Sequence, residues 1–187
     1  MANTLDLSAS AMVGVTRESL LALCASLLKD VGPEAASYLQ NAGYAGGATL
    51  FDAFSNWLLG RGFGTPESLD TTEFAARATE FFGELGWGSL ELGTLQSAVA
   101  TIDSSDWAEA DAGMALDFPG CHLTTGMFAD FFGRLAGDSL AVMEVECRSM
   151  GNERCRFLVG SAEVMQHVYD AMSEGLDYEQ AVSGAIA

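Results

Sequence analysis

Residues Glu144–Phe157 read EVECRSMGNERCRF, two cysteines eight positions apart around a Met-Gly-Asn turn. SLAVMEVEC leads in and CRFLVG leads out, so the stretch predicts two strands joined as a hairpin centred on Gly151. Opposed residues of such a pair hold their Cβ atoms roughly 4.5–5.5 Å apart. If Cys147 and Cys155 are opposed, that separation suits either a disulfide or two corners of a metal site. The same stretch holds Arg148, Arg154 and Arg156, three of only eight Lys and Arg residues in the chain. These arginines either offset the charge of a thiolate site or balance acids on a solvated face.

Structural zinc takes four tetrahedral ligands at about 2.3 Å from sulfur. Cys121, 23 residues before Glu144, is the natural third, because it follows the Pro119–Gly120 break at the start of an amphipathic helix. A helix N-terminus favours a thiolate. The fourth ligand is open at this point: Glu144, Glu146, His122 or a water. A regular strand points Glu144 and Cys147 to opposite faces, and only a bulge near Glu146 would bring them together. The fourth cysteine, Cys24, falls on a helical apolar stripe with Leu20, Leu21, Leu27 and Leu28 and reads as core.

The 187 residues carry a formal net charge of −18, with 49% hydrophobic residues. Such a charge disfavours nucleic acid and anionic membranes, both of which need clustered Lys and Arg. The opening MANTLDLSAS has no basic or apolar signal region, and no apolar run approaches the ~20 residues of a membrane span. The chain is therefore expected to be cytoplasmic.

Periodicity predicts an α+β fold in a single domain over 1–187. Residues 1–84 are expected to be helical. Thr16 caps a first helix, a second starts near Pro33, and a third runs through TTEFAARATEFFGELG, capped near Thr71 and stopped at Gly86. Gly43, Gly46 and Gly47 mark either a break in the second helix or a close approach to its backbone. Residues 85–175 supply an antiparallel sheet: GWGSLELG, LQSAVATID and the two strands of the hairpin. LTTGMFADFFGRLAG forms a helix packed on that sheet, and a closing helix starts from Ser161. Phe128, Phe131 and Phe132, with Trp107 upstream, are candidates for the lining of an apolar pocket.

The segments CHLTTGMFADFFGRLAG and AVMEVECRSMGNERCRFLVGS resemble the 4-vinyl reductase domain. That domain occurs in a bacteriochlorophyll-synthesis protein, in hydrocarbon-binding proteins and in sensor modules of aromatic-responsive activators. The resemblance extends over about residues 85–175, and NAGYAGGATLFDAF matches more weakly. It implies a mixed α/β fold like the ligand-binding domain shared by nitric-oxide-signalling and Golgi-transport proteins, often a homodimer. It also implies a zinc bound by Cys121, Glu144, Cys147 and Cys155, since the family's aromatic sensors use three cysteines and one glutamate. With all four positions filled by protein, such a site is structural.

A small hydrophobic or aromatic ligand is the expected partner. The alternatives are a tetrapyrrole-handling role in chlorophyll synthesis, as reductase or accessory, and a dimerising interaction module. The ATPase and DNA-binding parts of the activators are not in this sequence. Neither is the Tyr-x-Ser-x-Arg motif of haem sensors, which leaves His122 and His167 without a haem role. No nucleotide-binding glycine motif or nucleophile–base pair supports catalysis.

Overall fold

The computed structural model describes residues 6, 7 and 9–185. Among them are six α-helices and four strands, the α+β composition expected from the sequence. Helix α1 (Arg17–Val31) is capped by Thr16, whose side chain accepts from the Ser19 N–H. Helix α2 (Glu34–Arg61) follows a short turn through Gly32 and Pro33. Helix α3 (Thr71–Glu84) is capped by Asp70, one residue before the position expected, and Gly86 beyond it has φ +82°. Strands β1 (Glu91–Gln96) and β2 (Val99–Ser104) form a hairpin. Its turn lies at Ser97–Ala98, not at Gly93, because the glycine is accommodated within the ladder opposite Thr101.

Helix α4 (His122–Ala136) comes next, then β3 (Leu140–Glu146) and β4 (Cys155–Ser161). Helix α5 (Ala162–Ser173), capped by Ser161, precedes a short helix α6 (Tyr178–Gly184) that the periodicity did not reveal. The sheet order is β1-β2-β4-β3, antiparallel throughout. One face carries Ile102, Phe157 and Val159 into the main core with α2, α3 and α4. The other carries Val99 and Leu158 against Met165, Val168, Ala181 and Val182 of α5 and α6.

Helix α2 is continuous through its three glycines, so the close-approach reading holds rather than the break. A Cβ on Gly43 would lie 1.9 Å from the Leu123 carbonyl oxygen of α4, and one on Gly126 would lie 1.9 Å from the Gln40 oxygen of α2. The two helices thus touch backbone to backbone through reciprocal glycines. Gly47 gives the same clearance to Asp130 of α4. Helix α1 packs more lightly: Cys24 is its only fully buried residue, and the leucines beside it are half-buried or, like Leu23, exposed.

Candidate functional site

Cys121, Glu144, Cys147 and Cys155 are all buried, and their ligand atoms lie within 4.8 Å of one another. The Cys121 Sγ is 3.9 Å from that of Cys147 and 3.8 Å from that of Cys155. Sulfurs at two corners of a tetrahedron with 2.3 Å arms would be separated by about 3.8 Å, so the thiols are spaced for a common cation.

Each arrives by a different device. Cys121 is the residue before the first turn of α4. Glu144 comes from β3, where the register slips between Glu144, opposite Phe157, and Glu146, opposite Arg156. Strand β3 thus uses two residues where β4 uses one. That bulge answers the parity problem: it turns Glu144 and Cys147 to the same side. Cys155 opens β4 and pairs with Ser104 of β2. Cys147 is not opposed to Cys155 in the ladder, as a plain hairpin would have it. It lies past the end of β3 and begins a short 3-10 turn (Arg148–Met150), with its N–H donating to Asn152 Oδ1 at 2.9 Å.

The carboxylate of Glu144 is divided in use. Its Oε2 accepts from the Cys121 N–H at 2.8 Å, while buried Oε1 has no hydrogen-bond partner. A buried carboxylate oxygen without a partner is costly unless a cation takes it. Without one, burial and then the charge of Cys147 push the Glu144 carboxyl up to about 9. The thiol of Cys147 is pulled well below its ordinary value, first by the facing Cys121 and Cys155 thiols. Backbone N–H groups add to this, from Gly120 toward Cys147 and from Arg148 toward Cys155. Donors of this kind tune a ligated sulfur. Of the other candidates for the fourth position, Glu146 is bonded to Arg154 and Tyr178, and His122 stacks beside Phe118.

The basic residues of the motif do not hydrogen-bond the cluster. Arg156 makes a bidentate pair with Asp103 at 2.8 and 2.6 Å and also reaches Tyr178. Arg154 bridges Glu146 at 2.9 Å and Asp103 at 3.2 Å. The charge-balancing alternative therefore wins, because strand alternation sends 154 and 156 away from the face that Cys155 shares. Arg156→Met should cost about 1 kcal/mol by stranding the half-shielded Asp103, and leave any bound metal in place. Thermal melts with metal analysis would check both.

A residue unmarked in the sequence supports α4. Glu109 is 2% exposed, and its carboxylate accepts from the N–H groups of Leu123 and Thr124, each at 2.8 Å, and from the Thr124 hydroxyl. It caps the helix in place of Cys121, which makes no side-chain cap bond. Burial pushes Glu109 up to about 7 against the pull of those three bonds. The role depends on a contact 14 residues along the chain, for which there is no local signal.

Trp107, Phe128 and Phe131 are wholly buried and Phe132 is nearly so. Phe128 meets Trp107, Phe132 and Phe157 at 5.2–5.4 Å between ring centres, and Trp107 donates to the Thr124 hydroxyl at 2.6 Å. A cavity of about 540 Å³ lies elsewhere, between the first turns of α1 and the middle of α2. Residues 11–15 line one side, while Leu123 and Met127 of α4 and Trp87 line another. Trp87 stacks on Trp107 at 5.4 Å, so the aromatic core stands directly behind the cavity wall. Among the described residues no helix is long and apolar enough to cross a membrane.

Residues 102–161 match the family model of the vinyl-4-reductase domain, a segment that contains all four residues of the cluster. Among solved structures, the chain is similar to the phenol-responsive sensory domain of the transcription activator PoxR with phenol. There the TM-score is 0.63 at 16% identity, covering 94% of this chain and 84% of that one. It is also similar to a vinyl-4-reductase family protein from Methanocaldococcus jannaschii (TM-score 0.54, 18% identity, 82% and 87% covered). A third is a trafficking protein particle complex subunit 3 from Naegleria fowleri, covalently bound to palmitic acid (TM-score 0.58, 15% identity, 77% and 91% covered). At these identities the likeness establishes the fold. No curated protein sequence matches the chain.

Proposed function

We propose that this chain, whose residues 102–161 carry the vinyl-4-reductase domain, is a zinc-stabilised sensor or carrier for a small hydrophobic or aromatic molecule. The cavity of about 540 Å³ carries this reading, because its volume suits a small ligand and its wall is mostly apolar. Similarity to a sensory domain that holds phenol supports it. Zinc suits the donor set of three thiolates and a carboxylate, the 3.8–3.9 Å sulfur spacing and the unpartnered Glu144 Oε1. Cys121, Glu144, Cys147 and Cys155 would hold it, and it would supply structure rather than reaction chemistry, since the chain's own groups fill four positions. Trp107, Phe128, Phe131 and Phe132 serve as the rigid backing of the cavity through Trp87 and Met127. The homodimer and cytoplasmic setting implied by the resemblance belong to the same reading.

Metal analysis and native mass spectrometry of the purified protein test it. The expected result is one zinc per chain and a co-purified or added hydrophobic molecule that stays bound. A metal-free chain that takes up no hydrophobic probe would overturn it, and a Soret-like absorption band would replace it with the tetrapyrrole alternative.

A further inference from the structure

The cavity wall inverts the charge balance of the chain. The sequence has 26 Asp and Glu against eight Lys and Arg, yet the described lining includes Arg17 and no acidic residue. Arg61, Arg77, Arg134, Arg154 and Arg156 all stand in ion pairs. Arg17 stands in none among the described residues; its Nη2 reaches only the carbonyl oxygen of Asp106, at a long 3.5 Å. The Asp106 carboxylate is committed elsewhere, its Oδ1 accepting from the Ser89 N–H and from the hydroxyls of Ser89 and Ser104. A guanidinium at an apolar cavity with no carboxylate set against it is a ready partner for an anionic group.

Gly46 adds a second observation. Gly43 and Gly47 are required by the contact with α4, but a Cβ on Gly46 would meet nothing within 4 Å. Glycine in a helix interior costs about 1 kcal/mol relative to alanine, and here helix packing returns nothing for it. The open space at Gly46 faces the cavity. The lining along α2 runs from Ala42 to Leu50, about 12 Å of helix, which is room for an extended body.

We infer that the cavity takes an amphipathic carboxylate, its apolar body lying between α1 and α2 across Gly46 and its anionic head against Arg17. This deepens, and rests on, the ligand-binding reading above.

Titration of the full chain with decanoate and with decan-1-ol tests the assignment, read by calorimetry and by the fluorescence of Trp87. Arg17→Met should weaken decanoate about fivefold and decanol less than twofold, the size of an exposed charge-assisted contact. Gly46→Leu should weaken both at least tenfold by filling the cavity. Thermal melts confirm that both variants fold. Equal effects of Arg17→Met on acid and alcohol, or none on either, would overturn the placement of the head while leaving the cavity as a hydrophobic site. Binding of both probes unchanged by Gly46→Leu, or no binding to the parent chain, would overturn the cavity itself and with it the reading beneath.

Discussion

Cys147→Ser is expected to release the metal and lower the melting temperature by roughly 10 °C or more, because metal binding and folding share one free energy in such sites. The loss has two parts. A serine hydroxyl is a poor ligand for a borderline-soft cation, so the site falls to two thiolates and a carboxylate. The remaining Glu144, 6% exposed and with an unpartnered oxygen, must then be buried as the protonated acid or carry an uncompensated charge. The cluster joins the start of α4, the bulge of β3 and the start of β4, so its loss frees three elements together. Cys24→Ser is the control. That thiol is also buried, with burial pushing it up to about 12, but it stands outside the cluster. It should reduce stability modestly and leave metal content intact. Unchanged metal content and melting temperature in Cys147→Ser would mean that the four residues hold no ion.

Gly126→Ala, a single methyl group, is expected to cost more than about 3 kcal/mol. The added Cβ would lie 1.9 Å from the Gln40 oxygen and within 2.9 Å of the Tyr44 nitrogen. Both are backbone atoms of a 28-residue helix, so neither can turn aside as a side chain tip can. Helices α2 and α4 would have to part along their length, opening the core that Phe54 and Phe131 share at 5.6 Å between ring centres. Gly46→Ala gives the opposite sign. With no atom in its way it should stabilise α2 by about 0.5–1 kcal/mol through helix propensity alone. Urea unfolding of the two variants checks the contrast, and equal effects would count against the reciprocal packing.

How legible the site was differs residue by residue. Cys147 and Cys155 stand out because thiols are few in this chain and these two flank one turn. Spacing alone, however, left the fourth ligand among Glu144, Glu146, His122 and water. The family resemblance pointed to Glu144. The structure brings that side chain beside the thiols through a bulge, which local sequence shows only as a parity conflict. Arg154 and Arg156 invited a role at the thiols that strand alternation denies them. The β1–β2 turn was misplaced at a glycine, since glycine signals a turn only when nothing else explains it. Helix α6 is seven residues long, too short for a period to emerge from its neighbours.

By itself the sequence determined what depends on neighbours along the chain: the helices with their caps, the antiparallel hairpins, the apolar faces and the grouping of thiols. These follow from backbone sterics and the burial of one periodic face, both of which act over a few residues. Only the tertiary structure decided which glycines touch another backbone, that Glu109 caps a helix it does not adjoin, and that a cavity opens beside Arg17 rather than among the phenylalanines. Those outcomes depend on how whole elements pack, and a packed interior assigns space by shape between residues far apart in sequence.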